Sequence, residues 1–334
     1  MEIGKIPETV LKRSVLNRFT VRRGEVFIQA GVGEDCSAFL TDGKEAVVLS
    51  TDPITGTSKD IGTYAFHITA NDIASSGAEL FGMLLTIILP PGSSEEELKK
   101  IIEEMSALAG EHDVEILGGH TEVSAAVNQP LISVTGVGKA KKDRIIHTGG
   151  LRPGQELVLT KWAGLEGTAI LASDYEEFLH RYLPDELIET AKSFTDYLSV
   201  VPEGRIAAEF GVSAMHDVTE GGVFGALWEM AASSGVGLEV DLKKIPIRQE
   251  TVEICEVFSI NPYQLISSGA MLIGTDYGNR LTVELKRAGI HSAVIGHAVP
   301  GRDRVVINGE ERRFLEPPRT DELFRAVDSL RARE

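Results

Sequence analysis

Acidic side chains follow or interrupt apolar runs at several points along this chain. Four of them are aspartates that could act as metal ligands, namely Asp35, Asp52, Asp72 and Asp217. Small residues stand beside each of them and leave backbone N–H groups accessible. A hard cation such as Mg²⁺ prefers oxygen ligands and shares its coordination shell with phosphate oxygens. The pattern therefore predicts a site where carboxylates hold Mg²⁺ and a phosphate chain.

Other chemistries fit these residues poorly. No Gly-x-x-x-x-Gly-Lys-Ser/Thr run occurs, which excludes a P-loop. The glycine pair near residue 31 lacks the third glycine of a dinucleotide-binding fingerprint. Cys36 directly follows two acidic residues, which disfavour a reactive thiolate. A single aspartate is also a common helix cap or turn residue, so the metal site depends on several aspartates converging.

Composition limits the choice of partners. The chain has 334 residues, 43% of them hydrophobic and 25% charged, and a formal net charge of −17. This length predicts two domains with ample core. Since so acidic a surface repels polyanions, we expect neither nucleic acid nor membrane as a partner. No segment resembles a membrane span or a signal peptide, and only two cysteines occur, so we expect a cytoplasmic protein.

Hydrophobic periodicity predicts an alternation of strands and helices, which is typical of an α/β or α+β unit. In the first half we predict strands at 45–50, 80–89, 114–117 and 131–137, and helices at 7–19, 60–76 and 95–111. In the second half we predict strands at 156–160, 213–216, 236–240, 270–273, 293–295 and 304–307, and helices at 185–198, 202–210, 222–233, 277–288 and 320–334. A shift to glycine and proline at 147–154 divides the chain into domains 1–150 and 151–334.

The order of the motifs resembles one known family. Gly-Glu-Asp-Cys-Ser (33–37), Ser-Thr-Asp (50–52), Asn-Asp-Ile-Ala-Ser-Ser-Gly-Ala (71–78), Gly-Gly-His-Thr-Glu-Val (118–123) and His-Asp-Val-Thr-Glu-Gly-Gly (216–222) follow one another along the chain. This succession resembles the aminoimidazole ribonucleotide (AIR) synthetase-like, or PurM-like, superfamily. Its members include AIR synthetase, thiamine monophosphate kinase, selenophosphate synthetase and the hydrogenase maturation factor HypE. The chain is most similar to the HypE-related members.

The resemblance implies a two-domain PurM-like fold, with an N-terminal α/β domain whose sheet pairs in a homodimer and a C-terminal α+β domain. ATP would lie in a cleft along the dimer, and Asp35, Asp52, Asp72 and Asp217 would hold Mg²⁺. Asn71, Gly118, Gly119, Thr121, Gly221 and Gly222 would bind the cofactor, and His120 and Asp217 would be catalytic. The shared chemistry passes the γ-phosphoryl group of ATP to an oxygen or selenium atom of a small-molecule substrate, which activates it for substitution or dehydration.

Three departures from the family leave the reaction open. His120 stands where the family has an aspartate, and a neutral imidazole is a poor Mg²⁺ ligand, although Glu122 could substitute. Glu220 replaces an arginine of HypE. The sequence ends without the terminal cysteine of HypE, so we expect no modification of its own tail. We favour an ATP- and Mg²⁺-dependent phosphotransferase or synthetase. The alternative is a nucleotide-binding or scaffold homologue that has lost catalysis and acts through protein partners.

Overall fold

A computed structural model describes residues 8–18, 23–41, 43–57 and 59–331, which build two β-sheets with helices packed on them. The six strands of the first sheet are β1 (Val26–Ile28), β2 (Ser37–Leu40), β3 (Glu45–Ile54), β4 (Glu79–Leu89), β5 (Glu115–Val123) and β6 (Leu131–Lys141). Their spatial order is β1-β2-β3-β6-β4-β5, and all neighbours are antiparallel except the parallel pair β4 and β5. The strand β5 therefore forms one edge of this sheet.

The second sheet lies entirely in the second half of the chain. Its seven strands are β7 (Glu156–Thr160), β8 (Ala214–Asp217), β9 (Gly237–Asp241), β10 (Met271–Thr275), β11 (Ser292–Val299), β12 (Arg304–Asn308) and β13 (Glu311–Phe314). Their order is β13-β12-β9-β11-β7-β10-β8, which puts β8 and its last residue Asp217 at an edge. The predicted division into domains 1–150 and 151–334 falls between the two sheets and stays a prediction.

Eleven α-helices occur in the described ranges. They are α1 (Glu8–Ser14), α2 (Ile61–Ser75), α3 (Glu95–Glu111), α4 (Leu165–Asp174), α5 (Glu176–Leu179), α6 (Asp185–Lys192), α7 (Val201–Phe210), α8 (Gly222–Ser234), α9 (Gln249–Phe258), α10 (Gly278–Arg287) and α11 (Glu322–Arg331). A capping box between Ser94 and Glu97 begins α3. None of these helices has both the length and the apolar character that crossing a bilayer would require.

Most predicted elements are found, with shifted ends. The predicted strand 45–50 extends to Ile54, and the predicted strand 114–117 is wrong at its C-terminal end, because β5 continues to Val123. The predicted helix 185–198 becomes α6 followed by a short 3₁₀ helix at Ser193–Tyr197. The strands β1, β2 and β13 and the helices α4, α5 and α9 were not predicted. The ends of the predicted helices at 7–19 and 320–334 lie outside the described residues.

Helix α2 is the central element of the fold. Nearly all of its residues are buried, because it packs on β3 and β6 of the first sheet, on α3, and on α7 of the second half. Alternate residues of a strand point to opposite faces, and Ala46, Val48, Ser50 and Asp52 of β3 all lie on the face that α2 covers. The same packing therefore brings polar residues of α2 against the C-terminal end of β3.

Asn71 on α2 joins the two halves of the chain. Its side chain is fully buried, donates to the carbonyl oxygen of Leu198 at 2.8 Å, and accepts from the backbone N–H of Val200 at 2.8 Å. Both ends of the amide are therefore engaged by the segment that precedes α7. This geometry gives Asn71 an architectural role, and its predicted role in cofactor binding stays a prediction.

We predict that Asn71→Ala lowers the free energy of unfolding by about 2 to 4 kcal/mol, because it removes two hydrogen bonds and leaves two buried backbone groups unsatisfied. Urea denaturation of the variant and of the exposed control Asn279→Ala measures this. A variant with unchanged stability that fails to bind nucleotide would instead support the cofactor-binding role.

Candidate active site

Four predicted metal ligands meet where the two sheets approach each other. Asp35 precedes β2, Asp52 lies on β3, Asp72 on α2, and Asp217 ends β8. Burial, together with the charges of Asp217, Asp52 and Asp35, raises the pKa of Asp72 well above its usual value. The hydroxyl of Ser50 donates to Asp72 Oδ2. The sequence prediction that these carboxylates converge is thus met in the geometry, while their role as metal ligands stays a prediction.

His216 occupies the same junction and is held from both sides. Its Nδ1 lies 2.8 Å from Asp35, and its Nε2 lies 3.1 Å from Glu229 on α8. Burial alone would lower the pKa of this imidazole, but the two carboxylates outweigh burial and raise the pKa well above its usual value. A doubly protonated ring donates to both acids and supplies one positive charge among the aspartates.

Ligand atoms of Asp35, His216 and Asp217 all lie within 4.8 Å of one another. Because the imidazole nitrogens already face two carboxylates, the oxygen atoms are the donors left for a cation. An all-oxygen set built from aspartates is the kind that Mg²⁺ prefers over Zn²⁺. The donor chemistry of the junction therefore fits Mg²⁺.

A cavity of about 720 Å³ opens at this junction, a size within the range of small-molecule sites. Its walls come from β3 and α2 of the first half, from α4, β8 and α8 of the second half, and from α1 and α11. Eight acidic residues line it, namely Glu34, Asp35, Asp52, Asp72, Glu166, Glu220, Glu229 and Asp321. Among the described lining residues there is no lysine or arginine. Asp217 is buried behind this wall.

The glycines after β8 are engaged within the chain. The backbone N–H of Gly221 donates to Asp321 Oδ2 at 2.6 Å, and that of Gly222 donates to the carbonyl oxygen of Thr219 at 3.0 Å. A Cβ atom on Gly222 would lie 2.6 Å from the carbonyl oxygen of Leu265, and its φ of +60° favours glycine. The glycines shape a loop beside the cavity, and in this conformation neither N–H is available to a phosphate.

His120 is not brought to the aspartates by the fold of its own chain. It pairs with Thr86 on β4, which is opposite Ser133 on β6, which is opposite Pro53 on β3, so three strand spacings, about 14 Å, separate it from β3. Since neighbouring residues of a strand point to opposite faces, His120 lies on the open face and Asp52 on the face covered by α2.

Gly118, Gly119 and Thr121, which were predicted to bind the cofactor, lie inside the strand β5, all of whose residues are exposed. Their predicted role stays a prediction. A Cβ on Gly119 would lie 1.9 Å from the carbonyl oxygen of Leu85. The close approach of β4 therefore leaves room only for glycine at this position. His120 contacts only Glu122, at 3.2 Å, among the polar contacts of this segment.

Sequence reasoning assigned no role to several cavity or junction residues, among them Glu34, Ser50, Glu166, His216, Glu229 and Asp321. Glu229 is the one charged residue in the apolar helix α8, and this mismatch was a signal. Glu166 lies in the first turn of α4 and is 3% exposed, and burial raises its pKa to about 7. Burial likewise raises the pKa of Asp321 to about 7. Two carboxyl groups that hold protons near neutral pH therefore face one cavity.

The fold and the site together define the class. The family description "AIR synthase related protein, N-terminal domain" matches residues 33–140, and "AIR synthase related protein, C-terminal domain" matches residues 152–308. The chain belongs to the AIR synthase-related family and has its two-domain PurM-like fold, which confirms the predicted family and fold class.

Named relatives narrow the likeness to HypE. A provisionally named hydrogenase expression/formation protein of Methanocaldococcus jannaschii is 28% identical over 96% of each chain. The carbamoyl dehydratase HypE of Cupriavidus necator is 29% identical over 72% of this chain and 68% of its own length. A crystal structure of HypE in complex with ATP superposes with a TM-score of 0.69 at 22% identity, covering 84% of this chain and 87% of that chain. The Cupriavidus necator relative is named as an enzyme, which agrees with the predicted enzyme class.

We predict that the contribution of Glu166 to the free energy of unfolding decreases as the pH rises from 5 to 8. The folded carboxyl keeps its proton up to about pH 7, whereas the unfolded chain releases it near the ordinary value of 4.5. The folded state therefore binds more protons between these values, and the stability that this provides is lost across that window, by roughly 3 kcal/mol. Glu166→Gln should lose correspondingly less stability between pH 5 and pH 8 in urea denaturation.

The exposed carboxylate variant Glu256→Gln serves as the control for this comparison and should follow the wild-type pH dependence. Parallel curves for wild type and Glu166→Gln would show that Glu166 does not hold a proton in the folded state.

Proposed function

We propose that the chain is an ATP- and Mg²⁺-dependent enzyme that phosphorylates an oxygen atom of a small molecule. Phosphorylation turns that oxygen into a leaving group, so a carboxamide-type substrate could lose it as inorganic phosphate in a net dehydration. The carbamoyl dehydratase relative and the ATP complex of a HypE of similar fold support the reaction class. The observation that carries the proposal is the convergence of Asp35, Asp52 and Asp72 on one cavity, with Asp217 buried directly behind its wall.

The negative charge of the cavity walls explains why ATP would need a bound cation to enter the site. The cavity is lined by eight acidic residues, and the one buried cation at the junction, His216, is already held by Asp35 and Glu229. An ATP tetra-anion would be repelled from such walls. When bound, the metal would supply the positive charge that offsets the phosphates before and during transfer. Asp35, Asp52 and Asp72, which line the cavity, are the residues that would hold it.

Residues of the chain itself then orient the metal-binding carboxylates and transfer protons. Ser50 fixes the orientation of Asp72 through its hydrogen bond, and His216 does the same for Asp35. We assign proton transfer to Glu166 in place of His120, since Glu166 lines the cavity and a carboxyl with a pKa of about 7 can both take and return a proton at neutral pH. The retained aspartates favour an enzyme over the scaffold alternative.

We further propose the homodimer that the resemblance implies. On the first sheet, β4 and β5 expose Phe81, Leu84, Ile116, Leu117 and Val123, and no helix of the described residues covers the open face of β5. By strand alternation, Leu84 shares the open face of the sheet with His120, whereas Val123 points to the opposite face at the exposed edge strand. Exposed apolar side chains at a sheet edge and on its open face are typical of a protein interface. Pairing of two open faces would cover Leu84 and would place His120 in the interface.

Asp72→Asn tests the metal site. In the absence of metal, the variant should be at least as stable as the wild type, because one of the crowded carboxylates is gone. MgCl₂ should raise the melting temperature of the wild type and of the exposed control Asp196→Asn, but not that of Asp72→Asn, and phosphate release from ATP should fall at least about 100-fold. An unchanged magnesium response and turnover in Asp72→Asn would remove the aspartates from the mechanism.

Leu84→Asp tests the interface. A charge placed on the open face should convert a dimer into a monomer in light scattering, because burying an unpaired carboxylate between two sheets is unfavourable. Val283→Asp on the exposed side of α10 should leave the mass unchanged. A wild-type protein that is monomeric at micromolar concentration would contradict the proposed pairing.

A further inference from the structure

The ammonium group of Lys161, which directly follows β7, is buried among four oxygen atoms. It donates to the carbonyl oxygens of Tyr197 at 3.0 Å, Ser199 at 2.5 Å and Gly269 at 2.8 Å. Its Nζ also lies 2.7 Å from Oε1 of Glu203 on α7. Lys161 is 8% exposed and Glu203 is fully buried. We call Nζ and its four oxygen neighbours the ammonium site.

The ammonium site has the ligand set of a cation site. An ammonium carries three N–H groups, and the three carbonyl oxygens take all of them. Neither carboxylate oxygen of Glu203 accepts a hydrogen bond from the described residues, so this residue contributes charge alone. Backbone carbonyl oxygens that replace a hydration shell are typical ligands of a monovalent cation, and one carboxylate balances its charge. The side chain of Lys161 therefore fills a position that would suit a free monovalent cation.

Two stretches of backbone converge on the ammonium site. Gly269 has a φ of +101°, and a Cβ atom there would lie 2.5 Å from the carbonyl oxygen of Tyr197. Buried carbonyl groups that meet in this way are unfavourable unless a donor or a cation lies between them. The close approach of Gly269 to Tyr197 therefore depends on the charge that Lys161 supplies.

Residues 197–200 are also anchored to the first half of the chain. Asn71 on α2 bonds the carbonyl oxygen of Leu198 and the N–H of Val200, which alternate with the two carbonyl groups that face Lys161. The segment is thus held from both sides. Lys161 ties Gly269 to this anchored segment.

Gly269 in turn connects the ammonium site to the cavity. The preceding residue, Ser268, lines the cavity, and its backbone N–H donates to Oε2 of Glu166 at 3.3 Å. Burial raises the pKa of Glu166 to about 7, and hydrogen bonding from Ser268 limits this rise. The proton affinity of Glu166 therefore depends on what holds Gly269 in place.

We propose that Lys161 is a tethered monovalent cation and a positioning residue for Glu166, which it fixes through Gly269 and Ser268. The inference rests on the proposed function, because proton transfer in the proposed reaction is assigned to Glu166. In the intact protein the ammonium site is filled by the side chain. A free ammonium or potassium ion replaces it only when residue 161 is shortened.

A lysine that only stabilises the fold makes different predictions. Its removal would lower the free energy of unfolding equally in every salt and would leave the pKa of Glu166 unchanged. Removal of a tethered cation can be compensated by a free cation of the same charge and similar size. It also raises the pKa of Glu166, because the hydrogen bond from Ser268 is weakened.

Thermal unfolding in different chloride salts tests the tethered cation. Lys161→Gly empties the ammonium site, and the φ of +51° at this position favours glycine. Ammonium or potassium chloride should raise the melting temperature of this variant by about 2 to 5 °C over choline chloride at equal ionic strength. Such a shift is expected for a ligand present at about ten times its dissociation constant. The wild type and Lys161→Met, which keeps most of the side-chain bulk without the charge, should not distinguish the salts.

The pH dependence of stability tests the positioning of Glu166. The other ionisable groups that face this carboxyl are Tyr64, Glu220 and Asp321, and all three stay in place in the variants. In urea denaturation, the difference between a protein with Glu166 and its Glu166→Gln counterpart follows the pKa of this one carboxyl. In the Lys161→Met background the pH window of this difference should move upward by about 0.5 to 1 pH unit. The double variant Lys161→Met/Glu203→Gln removes the unpaired carboxylate and serves if the single variant does not fold.

The two tests have separate failures. A Lys161→Gly variant that responds to the salts as the wild type does, or that folds in none of them, would overturn the tethered cation. An unshifted pH window for Glu166 in the Lys161→Met background would overturn the positioning role. Both outcomes leave the proposed function standing, because phosphate release from ATP by the wild type tests it independently. Absence of that release would overturn the proposed function, while the stability measurements would still decide what Lys161 does.

Discussion

Crowding of like charges at the junction of the two sheets is the constraint on which the site depends. Asp72 is buried on a helix that has almost no exposed side, and Asp35, Asp52 and Asp217 face it from three other elements. Carboxylates this close cannot all ionise without a compensating charge. Among the described residues of the junction, the imidazolium of His216 supplies such a charge, and it is shared by Asp35 and Glu229. The remaining charge is left for a proton or a bound cation.

The sequence could predict the elements that deliver these residues, because their signals are local. Helix α3 shows an apolar stripe and a capping box, and β4 is a long apolar run. The extent of β5 could not be predicted, since Gly118 and Gly119 disfavour a strand and only the approach of β4 holds them extended. The face on which His120 lies depends on the register of three strand pairs, and register is a property of the folded sheet.

The prediction of the site had a similar limit, because several of its hydrogen bonds join residues that are far apart in the sequence. Gly221 and Asp321 are 100 residues apart, and Asn71 meets Leu198 and Val200 across the two halves of the chain. Asn71 and Gly221 both belong to family motifs, but the motifs do not specify whether the side-chain amide of Asn71 and the N–H of Gly221 face a ligand or another part of the chain. In both cases the polar group closes a contact between chain segments, so a family motif can mark architecture as well as chemistry.

Binding of a polyanion such as ATP in an acidic cavity is unfavourable only while the cavity holds no cation. The walls carry no lysine or arginine among the described lining residues, so attraction for phosphate has to come from metal, from protons or from backbone N–H groups. Burial raises the pKa values of Glu166 and Asp321 to about 7, so protons are available there near neutral pH, whereas the N–H groups of Gly221 and Ile266 already donate to Asp321. Affinity for a nucleotide should then rise with magnesium concentration and fall as these two carboxyls ionise. A site built in this way gains selectivity, since an anion without its metal meets only repulsion from the surrounding carboxylates.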